Sequence, residues 1–380
     1  MKQHFHHELA FLIAALLFVS GGCTSLRHAS VTPSEQPLKM NFAGDIMAHT
    51  VNFNMPDYHK IYENVIPILR TADVSFGNLE IPVADSLPLT TYPRFNVHTP
   101  YVKAAIDAGF TVFSLANNHS NDQGTEGIIA TRGVLAAMTP PVVSSGLRAF
   151  KDQRMKPALF SVKGKKVLFL AVTEILNSYD TAGKLVYYVA PTEKARTAFL
   201  SELAKMRKEH PCDIFVLSIH LNEPEYVRTV NDAKRTWFAQ IAEAGVDIVW
   251  GHHPHVMQDW EMVTVDSLGK ERQVLFMYSM GNFISGQRYA PDRENPDGMR
   301  EYTGDGVILQ VTVADGTMTV KPIPLTNYTD PKFGPVVRPF DDAFVSSLSD
   351  PWVRYYRARY DLMQSYLPEL PPMPVNAIIE

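Results

Sequence analysis

With 380 residues, 46% of them apolar and 20% charged, the chain is long enough to bury a large core and has the composition of an ordinary globular protein. Its net charge of −5, without a Lys/Arg block or aromatics interleaved with basic residues, excludes a nucleic-acid partner.

The amino terminus reads as a targeting segment. Lys2 sits in a short polar region, Leu9 to Val19 is an apolar run too short to span a bilayer comfortably, and Ser20-Gly21-Gly22 places small residues directly before Cys23. This is the pattern of a bacterial lipoprotein site, with Ser20 where Leu, Val or Ile is usual. The expectation is a signal peptide over 1–22, lipidation at Cys23 and a tether over 23–37 rich in Ser, Thr, Pro and Gln. Cys212 is then the one remaining thiol, which leaves no intrachain disulfide and suits a small buried residue.

From Leu38 a theme recurs: a short apolar run, a polar cluster, then a helical pattern. Met40 to Ala43 reads as a strand running into Gly44-Asp45. A helix is predicted over Tyr58 to Leu69, and a strand over Asp73 to Phe76 leads to Gly77-Asn78-Leu79-Glu80. Thr99-Pro100 opens a helix that Gly109 closes. Thr111 to Leu115 is a strand ending in Ala116-Asn117-Asn118-His119, followed by a helix from Thr125 towards Met138. Ala158 to Thr173 reads as a hairpin turning at Lys163-Gly164-Lys165. Glu193 to Lys208 is an amphipathic helix, and Asp213 to Ile219 a buried strand ending at His220. A helix from Asp232 to Ala244 then leads to the strand Val246–Trp250 and to Gly251-His252-His253-Pro254-His255. Further on, Val307–Val313 and Met318–Ile323 flank a hairpin turn at Asp315-Gly316. Asp341 to Leu367 reads as helical, with Trp352, Tyr355, Tyr356 and Tyr360 forming a packing face.

Alternating strands and helices followed by hairpins imply an α/β fold with mixed sheets, in which ligands sit beyond the carboxyl ends of strands. Asp45, Asn78 with Glu80, Asn118 with His119, His220 and the histidines at 252–255 all fall at such ends. Carboxylates, imidazoles and amide oxygens together suit a pair of divalent ions, Mn, Fe or Zn, rather than a thiolate-rich structural zinc. Two such ions can share a water, lower its pKa and clamp the oxygens of a displacement at phosphorus.

These motifs, with Asp122 and Gly124 and with Ser279-Met280-Gly281-Asn282-Phe283, resemble in order those of the CapA family. These are bacterial capsule (poly-γ-glutamate) synthesis proteins, themselves similar to calcineurin-like metallophosphoesterases. The likeness runs from about Leu38 to Thr326. It implies two mixed β-sheets in a sandwich flanked by helices (four layers, αββα) over 38–330, leaving 331–380 as a helical extension packed on the domain. It also implies an envelope role in making or exporting an anionic polymer.

Carried over by motif, Asp45 is the first metal carboxylate and Glu80 the bridging one. Asn118 serves the second metal, His119 is the general acid beside it, and His220, His253 and His255 complete the set. His252 stands as an alternative to His253, and Asn78 as a ligand or a hydrogen-bonding neighbour. Arg94 and Glu225 are candidates for substrate contacts, Arg94 because an anionic substrate needs a fork of donors. Two departures stand out. The loop His220-Leu221-Asn222-Glu223-Pro224-Glu225-Tyr226 is one residue longer than the family's and lacks its Trp-Gly pair, and His49 falls four residues after Asp45 rather than two. Two functions follow: a dimetal hydrolase acting on a phosphate ester or an amide-linked anionic polymer, or a non-catalytic polymer- or partner-binding subunit of a membrane capsule-synthesis complex. The lipid anchor would hold either at the membrane, facing the periplasm or exterior.

Overall fold

Strands that alternate large apolar residues on both faces must be covered on both sides, and here each of two sheets is covered by the other and by helices. The computed structural model describes residues 36–373. The signal segment, Cys23 and all but the end of the tether lie outside the described residues.

One sheet holds β1 (Leu38–Ile46), β2 (Val74–Leu79), β3 (Val112–Ser114), β4 (Val143–Ser145), β11 (Asn282–Ile284), β12 (Asp305–Ala314), β13 (Thr317–Asp330) and β14 (Gly334–Pro339). Its order is β14-β13-β12-β1-β2-β3-β4, with β11 also pairing to β1. The other holds β5 (Ala158–Val162), β6 (Lys165–Thr173), β7 (Ile214–His220), β8 (Ile248–His252), β9 (Trp260–Ser267) and β10 (Lys270–Met277), in the order β5-β6-β7-β8-β10-β9. Within each sheet the central pairs are parallel: β1–β2–β3–β4 in the first, β6–β7–β8–β10 in the second. The expected α/β sandwich of two mixed sheets is what the chain forms.

The period-2 alternation sorts each strand's side chains. In β6, Val167, Phe169 and Ala171 join the core between the sheets, while Leu168, Leu170 and Val172 face the other way. There they meet Phe199, Leu203 and Met206 of α5 (Glu193–Glu209) and Trp237, Phe238 and Ile241 of α6 (Asp232–Glu243). Phe42 of β1 stacks on Phe76 of β2 at 4.5 Å, and both rings meet Trp250 of β8, at 5.7 and 6.1 Å. The indole Nε1 of Trp250 donates to the Ala43 carbonyl, stitching sheet to sheet. The opposite face of β1 and β2 shows Asn41 and Ser75, which bond to the Ile68 and Leu69 carbonyls of α2 (Ile66–Leu69).

The remaining helices are α1 (Thr50–Phe53), α3 (Thr99–Ala108), α4 (Gly124–Ala136), α7 (Asp342–Ser346) and α8 (Trp352–Tyr366). The single helix predicted over Tyr58 to Leu69 is replaced by a 3-10 turn at Tyr58–Ile61 and the short α2. Pro67 explains the break, since it has no N–H to give the preceding turn and fits only the first turn of a new helix. The boundary expected at 330 falls inside the hairpin of β13 and β14, so the segment beyond it adds a strand before its helices. Within it, Tyr355, Tyr356 and Tyr360 are buried, and Tyr360 packs on Phe340 at 5.0 Å.

Candidate metal centre

The parallel strands of both sheets deliver their carboxyl ends to one place. Asp45 lies opposite Asn78 in the β1–β2 register, and Glu80 follows β2 directly. His220 ends β7 opposite His252 at the end of β8. Asn118 and His119 follow β3. Gly44 allows β1 to approach the 281 loop, because a Cβ there would lie 1.8 Å from the Gly281 carbonyl oxygen; the next amide, Asp45 N–H, donates to that oxygen at 3.0 Å. Past β8 the chain turns through two left-handed residues, His253 (φ 107°) and His255 (φ 57°). Such conformations cost about 1–3 kcal/mol each outside glycine and persist where the surroundings over-determine them.

Asp45, Glu80 and His255 are all buried and bring one donor atom each within 4.8 Å of one another. Glu80 Oε1 stands between two imidazoles, 3.6 Å from His220 Nε2 and 3.7 Å from His255 Nε2. His253 Nδ1 lies 3.1 Å from His220 Nε2. His252 and His253 have different neighbours: His252 Nε2 lies 3.0 Å from Ser218 Oγ, and its Nδ1 lies 3.2 Å from Asp45 Oδ1 without a hydrogen bond. The amide nitrogen of Asn78 donates to Asp45 Oδ1 (2.8 Å) and to Glu80 Oε2 (3.2 Å). Buried oxygens with no hydrogen-bond partner here include Asp45 Oδ2, Asn78 Oδ1, Glu80 Oε1 and Asn118 Oδ1. Buried oxygens left unmatched are costly, most of all on a charged group, and a cation among them would remove the cost. The donor set fits a divalent ion.

The electrostatics point the same way. Burial alone would raise the Asp45 carboxyl, but the His252 and His255 rings beside it win and hold it well below the ordinary range. Glu80 goes up instead, first through burial and then through Asp45, Glu225 and Asp122 around it. Burial, followed by the charge of neighbouring imidazoles, pushes His220 down and His253 to about 3. Burial also lowers His252 against the pull of Asp45, whereas at His255 the Asp45 carboxylate outweighs burial and raises the ring. Lone pairs on His220, His252 and His253 are therefore available at neutral pH.

Two cavities, of about 660 and 410 Å³, open on this floor and share Tyr92, His119 and Glu225 as lining. His119 packs edge-on against Phe95 at 4.7 Å, with Nδ1 2.7 Å from Asp122 Oδ2. Arg94 lines the smaller cavity, and its Nε donates to the Asp122 carbonyl. The loop after His220 is tied to the histidine turn by Leu221 N–H to the His252 carbonyl and Tyr226 N–H to the Pro254 carbonyl. Sequence reasoning missed Asn177, whose amide reaches Asn118 and His119 at 3.2 and 3.0 Å, and Asn282, 3.1 Å from His255 Nδ1. Asn282 stands inside the Ser279-Met280-Gly281-Asn282-Phe283 motif; Asn177 lies in a loop with no signal.

A family model described as bacterial capsule synthesis protein PGA_cap matches residues 39–287. The chain belongs to this family. In this capsule-synthesis family member the matched span carries every site residue just described, whereas β12, β13, β14 and α8 lie beyond it. Among its relatives, the PGA biosynthesis protein CapA of Bacillus subtilis (strain 168) is 28% identical over 270 residues, covering 70% of this chain and 67% of its own. The capsule biosynthesis protein CapA of Bacillus anthracis is 28% identical over 311 residues, covering 78% and 71%. A crystal structure of a hypothetical protein from Thermus thermophilus aligns with a TM-score of 0.43 at 15% identity, over 76% of this chain and 98% of that one. Membership in the family points to the cell envelope. No helix among the described residues is long and apolar enough to cross a membrane.

Proposed function

We propose that this capsule-synthesis family member is a dimetal hydrolase of the metallophosphoesterase kind, acting at the cell envelope on an anionic polymer or its phosphate-ester precursor. The observation that supports it is the set of unmatched buried oxygens, on Asp45, Asn78, Glu80 and Asn118, beside the imidazoles of His220, His253 and His255. Asp45, Glu80 and His255 would hold one divalent ion, and Glu80, Asn118, His220 and His253 the other, with Mn, Fe or Zn the ions such donors select. When bound, the pair supplies Lewis-acid polarisation of a substrate oxygen and a water acidified towards neutrality.

The chain's own groups do the rest. Asn78 clamps the two carboxylates through its amide nitrogen, and its Oδ1, buried without a hydrogen-bond partner, would have lone pairs to offer a cation. His252 holds Asp45 from behind, with Ser218 fixing its other nitrogen. With Nδ1–H donated to the Asp122 carboxylate, His119 would act as the imidazolium: the proton handed to a leaving oxygen is a second one, taken up from solvent at Nε2, and Asp122 stabilises that charge. Arg94 and Arg300 on the cavity walls suit an anionic substrate, and Glu225 between the two cavities orients it. A lipid at Cys23 would keep the site at the membrane surface, within reach of a capsule-synthesis complex.

The test is elemental analysis of the purified full chain together with turnover of bis(p-nitrophenyl) phosphate before and after chelation. Two equivalents of Mn, Fe or Zn are expected, with turnover lost to the chelator and restored by metal. Less than one equivalent, even after dialysis against these ions, would overturn the reading. Full loading with no turnover of phosphodiester or polymer would instead assign a polymer-binding subunit.

A further inference from the structure

His49 is an imidazole at the centre that neither the donor set nor the His119–Asp122 pair uses. It stands at the amino end of α1 and lines the 660 Å³ cavity together with His119 and His255. Its ring is wedged. Phe95 packs edge-on against it at 5.1 Å, and on another side the backbone of Gly286 comes so near that a Cβ there would lie 2.6 Å from His49 Cβ and 2.7 Å from Val51 Cγ2. Only a bare glycine permits this approach, and its result is a hydrogen bond from Gly286 N–H to His49 Nδ1 at 3.1 Å.

That bond fixes the tautomer. A backbone amide can only donate, so Nδ1 must carry a lone pair and the ring's one proton sits on Nε2. Among the described residues no acceptor meets Nε2. Burial, followed by His255, His119 and Arg300 nearby, brings the ring down to about 4, which agrees with a neutral imidazole at physiological pH.

We infer that His49 is a fixed, uncharged hydrogen-bond donor, through Nε2–H, to an oxygen of the substrate's reacting phosphoryl group, and that it is not a metal ligand. The inference rests on the proposed function for its substrate and on the Gly286 bond for its chemistry. A protonated Nε2 has no lone pair to give a cation, and moving the proton to Nδ1 would break the bond to Gly286. A neutral donor can follow charge as it builds on the oxygen without repelling cations beside it. Donors placed in this way are worth about 10²–10³ in kcat.

The test compares the full chain with H49A and H49Q, the second keeping an N–H at a similar reach. Metal content, inorganic phosphate affinity of the loaded protein by calorimetry, and kcat and KM are measured. Long-range ¹H–¹⁵N spectra of ¹⁵N-histidine protein, recorded without metal, report the tautomer. Expected are two equivalents of metal in all three proteins and one protonated nitrogen, Nε2, at His49. H49A should lose about 100-fold in kcat, with phosphate binding weakened in parallel, and H49Q should regain part of both. Loss of a metal equivalent in H49A, a proton on Nδ1, or phosphate binding in H49A equal to that of the unaltered chain would each overturn the inference. Failure of the unaltered chain to load metal would sink the proposed function instead; the metal-free spectrum would still decide the tautomer.

Discussion

Adjacent histidines at 252 and 253 differ because the chain turns over between them. His252 is the last residue of β8 and keeps the strand's extended backbone, so its ring is locked between Ser218 and Asp45. His253, at φ 107°, swings towards His220. Truncating each should therefore have different consequences. His253→Ala removes a donor, and the chain should keep one of two metal equivalents and lose at least about 100-fold in turnover. His252→Ala should keep both equivalents with affinity about 10–100-fold weaker, because Asp45 loses the neighbour that orients it. Elemental analysis and competition with a chelating dye would separate the two, and equal loss of metal from both variants would reject the distinction.

At the scale of elements, strand ends were the legible part. Polar residues after short apolar runs located Asp45, Glu80, Asn118 and His220, because a parallel strand buried on both faces opens to a ligand at its end. The hairpin at Lys163-Gly164 was legible for a similar reason: both residues adopt positive φ, and Gly marks that requirement. Periodicity failed where one residue overrode it, as Pro67 did within Tyr58 to Leu69. The edge strand β9 went unseen because its alternating residues are only partly buried and give a weak apolar run, and β14 because Gly334, Pro335 and Pro339 punctuate a short buried one. Buried charge away from the strand ends was illegible. Arg359 of α8 reads as one more solvated residue of an amphipathic helix, yet it is fully buried, with Nε donating to Asp305 Oδ2 at 2.9 Å, while Arg288 holds the other oxygen at 2.7 Å. Arg359→Met should cost about 3 kcal/mol, the low end for breaking a buried pair, because Arg288 still neutralises Asp305. Urea unfolding measures it, and an unchanged midpoint would show that α8 is held by its aromatic face alone.

Across the whole molecule, the donor atoms come from both layers of the sandwich. Asp45, Glu80 and Asn118 lie at or beyond strand ends of one sheet, and His220, His253 and His255 at or beyond strand ends of the other. Between the layers run packed apolar side chains and a few bonds, among them Ser218 Oγ to Ser114 Oγ at 2.8 Å. Cations held by both sets of ends would brace the two sheets, so chelation should lower the melting temperature of the entire domain. Saturating metal at about 100 times its Kd is worth about 2.7 kcal/mol. The sign of the pH dependence follows from Glu80. Its raised pKa means that the metal-free fold holds a proton there, which contributes stability below the ordinary carboxylate range and is lost as pH rises through the raised value. His255, also raised, acts in the same direction. Loading metal displaces the Glu80 proton and removes that titration from the folded state. The gain in melting temperature on loading should therefore widen from pH 5 to pH 8, and calorimetry in buffers of different ionisation enthalpy should show protons released on binding. A gain that shrinks with rising pH, or binding without proton release, would mean that Glu80 is not the carboxylate shared between the ions.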